Sequence, residues 1–218
     1  MKVSIIITSY NYAPYIERCV RSCLTQNFDK KNYEVIVVDD ASTDKTIEII
    51  KKYAKYPNFR IIQNKKNVGV AESANIGIRE SFGQFVVRVD ADDYINANLI
   101  LFLSAYLEAN NQLLGVAADY ICVNDDEKPL KRFSAQKRAI SCGIMYHKDL
   151  LVKMGLYNPD FRHREEKELR RRLGDKYRID YLRIPLYRYR IHGNNKTKQA
   201  KELRKFESKI KKLYSEKK

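Results

Sequence analysis

The stretch EVIVVDDASTDKT, Glu34 to Thr46, decides the fold class. Val35 to Val38 are four consecutive apolar residues, mostly valine, which is the composition of a strand buried on both faces. Two aspartates follow at the strand end. Ser42, Thr43 and Asp44 then supply the short polar side chains that cap a helix, whose Ile47, Ile50 and Ala54 recur at helical spacing. Strand, acidic turn and helix are half of a βαβ unit, and the same half-unit recurs on either side. Upstream, Val3 to Thr8 reads as a strand, followed by a helix opened by Pro14 with Ile16, Cys19, Val20, Cys23 and Leu24 inward. Downstream come a strand over Phe59 to Gln63, a helix over Ala71 to Ser81 and a strand over Gln84 to Val89. A βαβαβαβ alternation implies a mostly parallel, Rossmann-like sheet flanked by helices.

Beyond Asp93 the alternation breaks down into an α+β pattern. A helix is expected from about Asn98 to Asn110, strands over Val116 to Val123 and Ala139 to Tyr146 with a polar connection between them, a charged helix over Glu165 to Leu173, and a strand over Tyr181 to Ile191. Lys196 to Lys218 carries ten basic and three acidic residues, with Leu203, Phe206, Ile210 and Leu213 at helical steps. That is a basic amphipathic C-terminal helix with a narrow apolar stripe. Its alternatives are packing on the domain or lying on an anionic membrane. The expected division is one domain over 1–195, with halves 1–93 and 94–195, and the helix over 196–218.

The chain has 218 residues and 44% hydrophobic content, enough for one core and too much for general disorder. No apolar run reaches the roughly 18 residues of a membrane span, and the start, MKVSIIIT, lacks a signal-peptide pattern, so a cytoplasmic protein is expected. Cys19, Cys23, Cys122 and Cys142 form no CxxC pair and read as reduced, buried thiols. The net charge of +15 favours anionic partners without choosing among nucleic acid, anionic lipid and phosphorylated substrates. No nucleic-acid module signature is present, and acidic strand ends would repel a phosphate backbone, so nucleic acid is not the expected partner.

Chemistry concentrates where carboxylates end the strands: Asp39 and Asp40 after the second, Asp90, Asp92 and Asp93 after the fourth. In open α/β sheets the ligand crevice lies outside those ends. Carboxylates crowded there repel one another unless a hard divalent cation such as Mg²⁺ or Mn²⁺ joins them, and Mg²⁺ held by one or two carboxylates generally carries substrate phosphates as well. A nucleoside diphosphate group is therefore the implied ligand. Read singly, each cluster is also a plausible polar turn.

The segments IIITSYN, VVDDASTDKT, NVGVAESANIGIRES and FVVRVDADD occur in that order and at matching distances, and together they closely resemble family 2 glycosyltransferases of the GT-A fold. The resemblance runs from about Val3 to Asn195. It implies an inverting, metal-dependent glycosyltransferase that moves a sugar from a nucleotide sugar, a UDP-sugar first among them, to a glycan or lipid-linked acceptor, and the basic charge adds affinity for an anionic membrane surface. It further implies that Thr8 and Tyr10 frame the nucleobase, that Asp40, with Asp39 second, accepts from the base, and that Gly69 and Asn75 belong to the loop over the nucleoside. Asp90 and Asp92 match the DXD motif, with Asp92 the first metal ligand, Asp93 beside it, and His192 in YRYRIHGNNKT near metal or phosphate. REEKEL, Arg164 to Leu169, occupies the place of the family's general base and Glu166 matches it, although Asp is commoner there. Ser141, Cys142 and Gly143 match the acceptor-side strand. The family aromatic near the base is missing, since the chain has no Trp. Other readings are an idle family member and a nucleotidyltransferase, but the latter would be expected to show a Gly-rich basic loop where TSYNYAPY stands.

Overall fold

The computed structural model describes residues 1–174, 177–193, 195 and 200–214. The first half alternates as the sequence implies: β1 (Val3–Ser9), α1 (Ile16–Leu24), β2 (Tyr33–Asp39), α2 (Thr46–Lys51), β3 (Phe59–Gln63), α3 (Val70–Arg79) and β4 (Phe85–Asp90). The second half contains β5 (Tyr94–Ile95), α4 (Leu99–Ala109), β6 (Gly115–Val123), β7 (Pro129–Phe133), β8 (Ile144–His147), α5 (Lys148–Lys153), α6 (Glu165–Leu173), β9 (Ile179–Arg190) and α7 (Ala200–Tyr214). All described strands join one sheet in the order β3-β2-β1-β4-β8-β6-β9-β5, with β7 beside β6. Strands β1 to β4 are mutually parallel, while β8 runs antiparallel to both β4 and β6.

Every residue of β1 and β2 is buried, because helices cover both sheet faces. Strand periodicity sorts them. Ile5, Ile7, Val35 and Val37 face α1 and α4, whereas Ile6, Ile36 and Val38 face α3 and α6. Each fully buried side chain of this kind contributes about 1.5 to 3 kcal/mol. Helix α3 lies flush on the sheet at Gly77, where an added Cβ would stand 2.5 Å from Ile6 Cγ2. This packing fixes the N-terminus of α3 beside the ends of β1 and β2.

Four expectations change. The strand over 139–146 shortens to β8, because residues 139–143 turn back toward β4, where Gly143 N donates to Arg88 O. The polar connection before it contains β7, an exposed hairpin strand on β6. Helix α5 was not legible either. In α7, Phe206 and Ile210 pack on Phe161 as the stripe implies, but Leu213 is 49% exposed and Tyr214 takes its place. Residues 196–199 and 215–218 of the expected helix lie outside the described residues. The four cysteines are free and buried, and no helix among the described residues is long and apolar enough to cross a membrane.

Candidate active site

A cleft opens at the C-terminal ends of β1, β2 and β4. Its floor is Thr8 and Ser9 at the end of β1, Tyr10 and Tyr12 beyond it, Asp40 after β2, and Arg88, Asp90, Ala91 and Asp92 at and past the end of β4. One wall is Asn67 to Ser73 at the start of α3. The opposite wall is Ser141, Arg162 to Glu165, Tyr189, Asn195 and Leu203 of α7.

On the α3 side, Asp40 is a loop organiser. Its carboxylate accepts from Val68 N at 2.8 Å, Gly69 N at 2.8 Å and Asn64 Nδ2 at 2.9 Å. Gly69 is needed there, since it sits at φ +91°, where a side chain would be strained. Asp39 differs: Oδ2 accepts from Ser42 N at 3.1 Å, while Oδ1 is buried with no hydrogen-bond partner among the described residues. Ser9 Oγ, its register neighbour across β1 and β2, is likewise buried and unpartnered. Of the two aspartates Asp40 lines the cleft, with Oδ2 accepting only from Gly69 N among the described residues, whereas Asp39 is fully buried behind it. Thr8 and the half-exposed Tyr10 line the cleft. Asn75 does not. It is buried and grips one residue of another segment, donating to Tyr157 O at 2.8 Å and accepting from Tyr157 N at 3.0 Å, so the nucleoside role implied for it is replaced by a structural one.

At the end of β4, Asp90 and Asp92 face the cleft and Asp93 turns inward. Asp93 accepts from Tyr187 Oη at 2.7 Å and Arg190 N at 2.8 Å, with both oxygens engaged. Burial, then the neighbouring Asp92 and Asp90 charges, push its carboxyl well above the usual range. His192 Nε2 lies 2.9 Å from Asp92 Oδ2, and the ring packs on Tyr15 at 4.7 Å. His192 therefore orients the Asp92 carboxylate from behind instead of entering the cleft, as the partners of metal-binding carboxylates commonly do.

The residues fit a hard divalent cation. Among the described residues, Asp90 Oδ1 is buried with no hydrogen-bond partner and only the Arg88 guanidinium, 3.2 Å away, to offset its charge, and ligand atoms of Asp90, Asp93 and Cys142 lie within 4.8 Å of one another. Burial, foremost, keeps the Cys142 thiol protonated by pushing it well up, and Asp93 is already taken, which leaves Asp90 and Asp92, the two carboxylates that line the cleft at this end, as the candidate ligands.

Across the cleft, α6 begins at Glu165. Arg164, in the left-handed region at φ 64°, starts the helix so that Glu165 faces the cleft. Glu165 pairs with Arg88 Nη1 at 2.9 Å. Glu166 points away, into the interior: Tyr146 Oη donates to both its oxygens, at 2.8 and 2.9 Å, and Arg170 Nε donates at 2.8 Å. Burial raises its carboxyl above the ordinary value against the pull of Arg170 and Tyr146. The assignment of Glu166 to the cleft is thus corrected, because the helix starts with its first residue inward to the cleft and its second a turn of about 100° away. Sequence reading also missed Ser9, Tyr12, Arg88, Tyr189 and Leu203. Of these only Arg88 left a signal, as a cation inside an otherwise apolar strand that ends on Asp90. Burial, then the Asp92 charge, pushes the Tyr12 phenol far above its usual range, keeping it a neutral donor.

The sequence pattern of glycosyl transferase family 2 matches residues 4–171. The chain belongs to that family. Poly(ribitol-phosphate) β-N-acetylglucosaminyltransferase TarS of Staphylococcus aureus is 37% identical over 112 residues, which are 51% of this chain and 20% of TarS. An uncharacterized glycosyltransferase of Haemophilus influenzae is 30% identical over 158 residues, 72% of this chain and 48% of that protein. The chain therefore spans at most about half the length of these family members. TarS 1–349 in complex with UDP-GlcNAc superimposes with a TM-score of 0.82 at 23% identity, covering 96% of this chain and 65% of that one. The mannosyltransferase PcManGT from Pyrobaculum calidifontis in complex with GDP-Man and Mn²⁺ gives 0.75 at 19%, covering 92% and 60%. These superpositions establish the GT-A architecture.

Proposed function

We propose that this chain transfers a glycosyl group from a nucleotide sugar, a UDP-sugar in the first instance, to an acceptor hydroxyl on a growing glycan or lipid-linked saccharide, with inversion in a single displacement. The observation that carries the reading is the pairing of Asp90 and Asp92 on the floor with Glu165 on the opposite wall, the two carboxylate functions the reaction needs on two sides of one cleft. Thr8, Ser9, Tyr10 and Asp40, which line the cleft together, supply a nucleobase site, and the loop ordered by Asp40 covers the nucleoside. The TarS complex with UDP-GlcNAc supports uridine as the base.

Asp90 and Asp92 would hold a divalent cation, Mn²⁺ or Mg²⁺, which when bound offsets charge on the leaving diphosphate. Glu165 replaces Glu166 as the proposed general base. The acceptor oxygen bonds to the anomeric carbon as the bond from that carbon to the diphosphate oxygen breaks, the acceptor proton passes to Glu165, and the nucleoside diphosphate departs. Asp92, steadied by His192 and Asn195, and Glu165, steadied by Arg88, are held in place before substrate arrives, which removes much of the orientation cost. The residues at the acceptor end, Ser141 and Arg162 to Arg164, set which hydroxyl reaches Glu165. We place the reaction in the cytoplasm, with peripheral contact at an anionic membrane as the open variant.

The test is calorimetric titration of UDP in Mn²⁺ against EDTA, followed by turnover with UDP-GlcNAc and other UDP-sugars. Metal-dependent UDP binding and release of UDP support the reading, whereas equal affinity in both buffers removes the metal from it.

A further inference from the structure

The one cation in β4, Arg88, lies between the two functional poles of the cleft. Strand periodicity puts Arg88 and Asp90 on the same face, two residues apart, and Glu165 reaches the same guanidinium from the start of α6. Nε of Arg88 is 3.2 Å from Asp90 Oδ1 and Nη1 is 2.9 Å from Glu165 Oε1. The side chain is 4% exposed, with its guanidinium 5.5 Å from the Tyr157 ring centre. One buried cation thus serves two carboxylates, one on the metal and diphosphate side and one on the acceptor side.

We propose that Arg88 is a positioning residue that sets the separation between the diphosphate-side carboxylate and the base, so that the acceptor hydroxyl is in line with the donor only while both are tied to one rigid guanidinium. The inference rests on the proposed glycosyl transfer and adds to it a residue outside the implied site set. Three features of the site argue for positioning over plain stabilisation. First, Glu165 has no other ion-pair partner among the described residues, so its place at the cleft depends on Arg88. Second, neither Nε nor Nη1 makes an aligned hydrogen bond to its carboxylate despite the short distances, so the clamp acts through charge at close range and leaves the second oxygen of each carboxylate uncommitted to Arg88. Third, the cluster of Asp90, Arg88 and Glu165 carries two negative charges to one positive, which suits a site completed by a cation. A planar guanidinium spans two carboxylates with its separate nitrogens, whereas the point charge of a lysine cannot hold both at fixed separation.

The experiment compares R88K, R88M, E165Q and the double variant R88M/E165Q, reading Mn²⁺-dependent UDP affinity by calorimetry, UDP-GlcNAc hydrolysis with water as acceptor (kcat and donor KM), and thermal stability. R88K should keep UDP affinity within about threefold and lose kcat at least about tenfold. R88M should lose about 10² to 10⁴ in kcat, as E165Q does, the range for removal of a general base. The double variant should be no slower than the worse single, since both act on one function, and should melt above R88M because its uncompensated buried carboxylate is gone. If R88M fails to fold, R88K and the double variant still decide. Near-normal kcat in R88K, losses that multiply in the double variant, or a fall in UDP affinity parallel to kcat would each overturn the positioning role. Absence of Mn²⁺-dependent UDP binding by the unmodified protein would instead overturn the proposed function, separating the two failures.

Discussion

Residues 1–93 and the residues beyond them differ in how their positions are fixed. In the first half each functional group stands at the end of a parallel strand buried on both faces, so a run such as EVIVVDD specifies the strand and the carboxylates at its mouth together. In the second half the cleft residues hang on long-range pairings: β6 lies between β8 and β9, and α6 is placed by Tyr146 of β8 and Tyr181 of β9. Local pattern locates the donor side of the cleft, and the acceptor side follows from which strand pairs with which.

The two neighbouring glutamates of α6 break or sharpen this comparison most. E165Q should lower turnover by about 10² to 10⁴ with UDP affinity retained, because a base acts on the acceptor. E166Q should keep turnover and lose roughly 1 to 3 kcal/mol of stability in denaturant melts, since Tyr146 and Arg170 lose a buried carboxyl oxygen as acceptor. Its pH dependence adds a second reading. Burial raises the folded Glu166 pKa above its ordinary 4.5, so the folded state binds that proton more tightly. Stability linked to it is complete below the unfolded value and declines as pH rises through the folded one. The deficit of E166Q should therefore be largest near pH 4.5 and narrow above it. An inactive E166Q beside an active E165Q would mean that α6 presents its other face in the working enzyme.

Next in size is D92N. Asp92 reaches the cleft with His192 behind it, and loss of its charge should weaken UDP binding in Mn²⁺ by at least about tenfold, near 1.4 kcal/mol, with little change in EDTA. D93N is the control, with its carboxylate committed to Tyr187 and Arg190, and should alter stability before metal dependence. A D93N effect on Mn²⁺ dependence equal to that of D92N would return Asp93 to the ligand set.

The strand-end aspartates could be placed at the cleft from the sequence because residues that follow the strands of an open parallel sheet stand at its C-terminal edge. Asp40 and Asn75 show where that reading stops. Both types also satisfy backbone groups, and only the coordinates show Asp40 holding two loop N–H groups and Asn75 clasping Tyr157 from 82 residues away. Glu166 was misplaced for a related reason: helical geometry separates its face from that of Glu165 but cannot say which face meets the cleft. N75A should therefore cost about 1 to 3 kcal/mol, the penalty for stranding buried backbone groups, and change UDP affinity less than threefold. A large loss of UDP affinity at unchanged stability would restore Asn75 to the nucleoside loop.

The smallest effect concerns α7, where the apolar stripe is divided. Phe206 and Ile210 are buried on Phe161, Lys167 and Arg164 share Glu207, and Tyr214 Oη donates to Glu168 at 2.6 Å. With those anchors turned inward, only Leu213 remains of the four as an exposed apolar group, beside the outward Lys201, Arg204, Lys205, Lys209 and Lys211. One leucine inserts too little surface to hold a protein on a bilayer, while clustered lysines are attracted to anionic lipid at about 1 kcal/mol each near the surface. Any binding to phosphatidylglycerol vesicles should then be electrostatic, strong at low salt and gone by roughly 0.5 M, where screening confines such forces to a few ångströms. L213S should shift stability by less than about 0.5 kcal/mol and leave vesicle co-sedimentation unchanged. Binding that survives high salt and falls in L213S would show instead that α7 leaves the domain to insert its apolar face, and F206S, which should otherwise only destabilise the packing on Phe161, would then reduce vesicle binding as well.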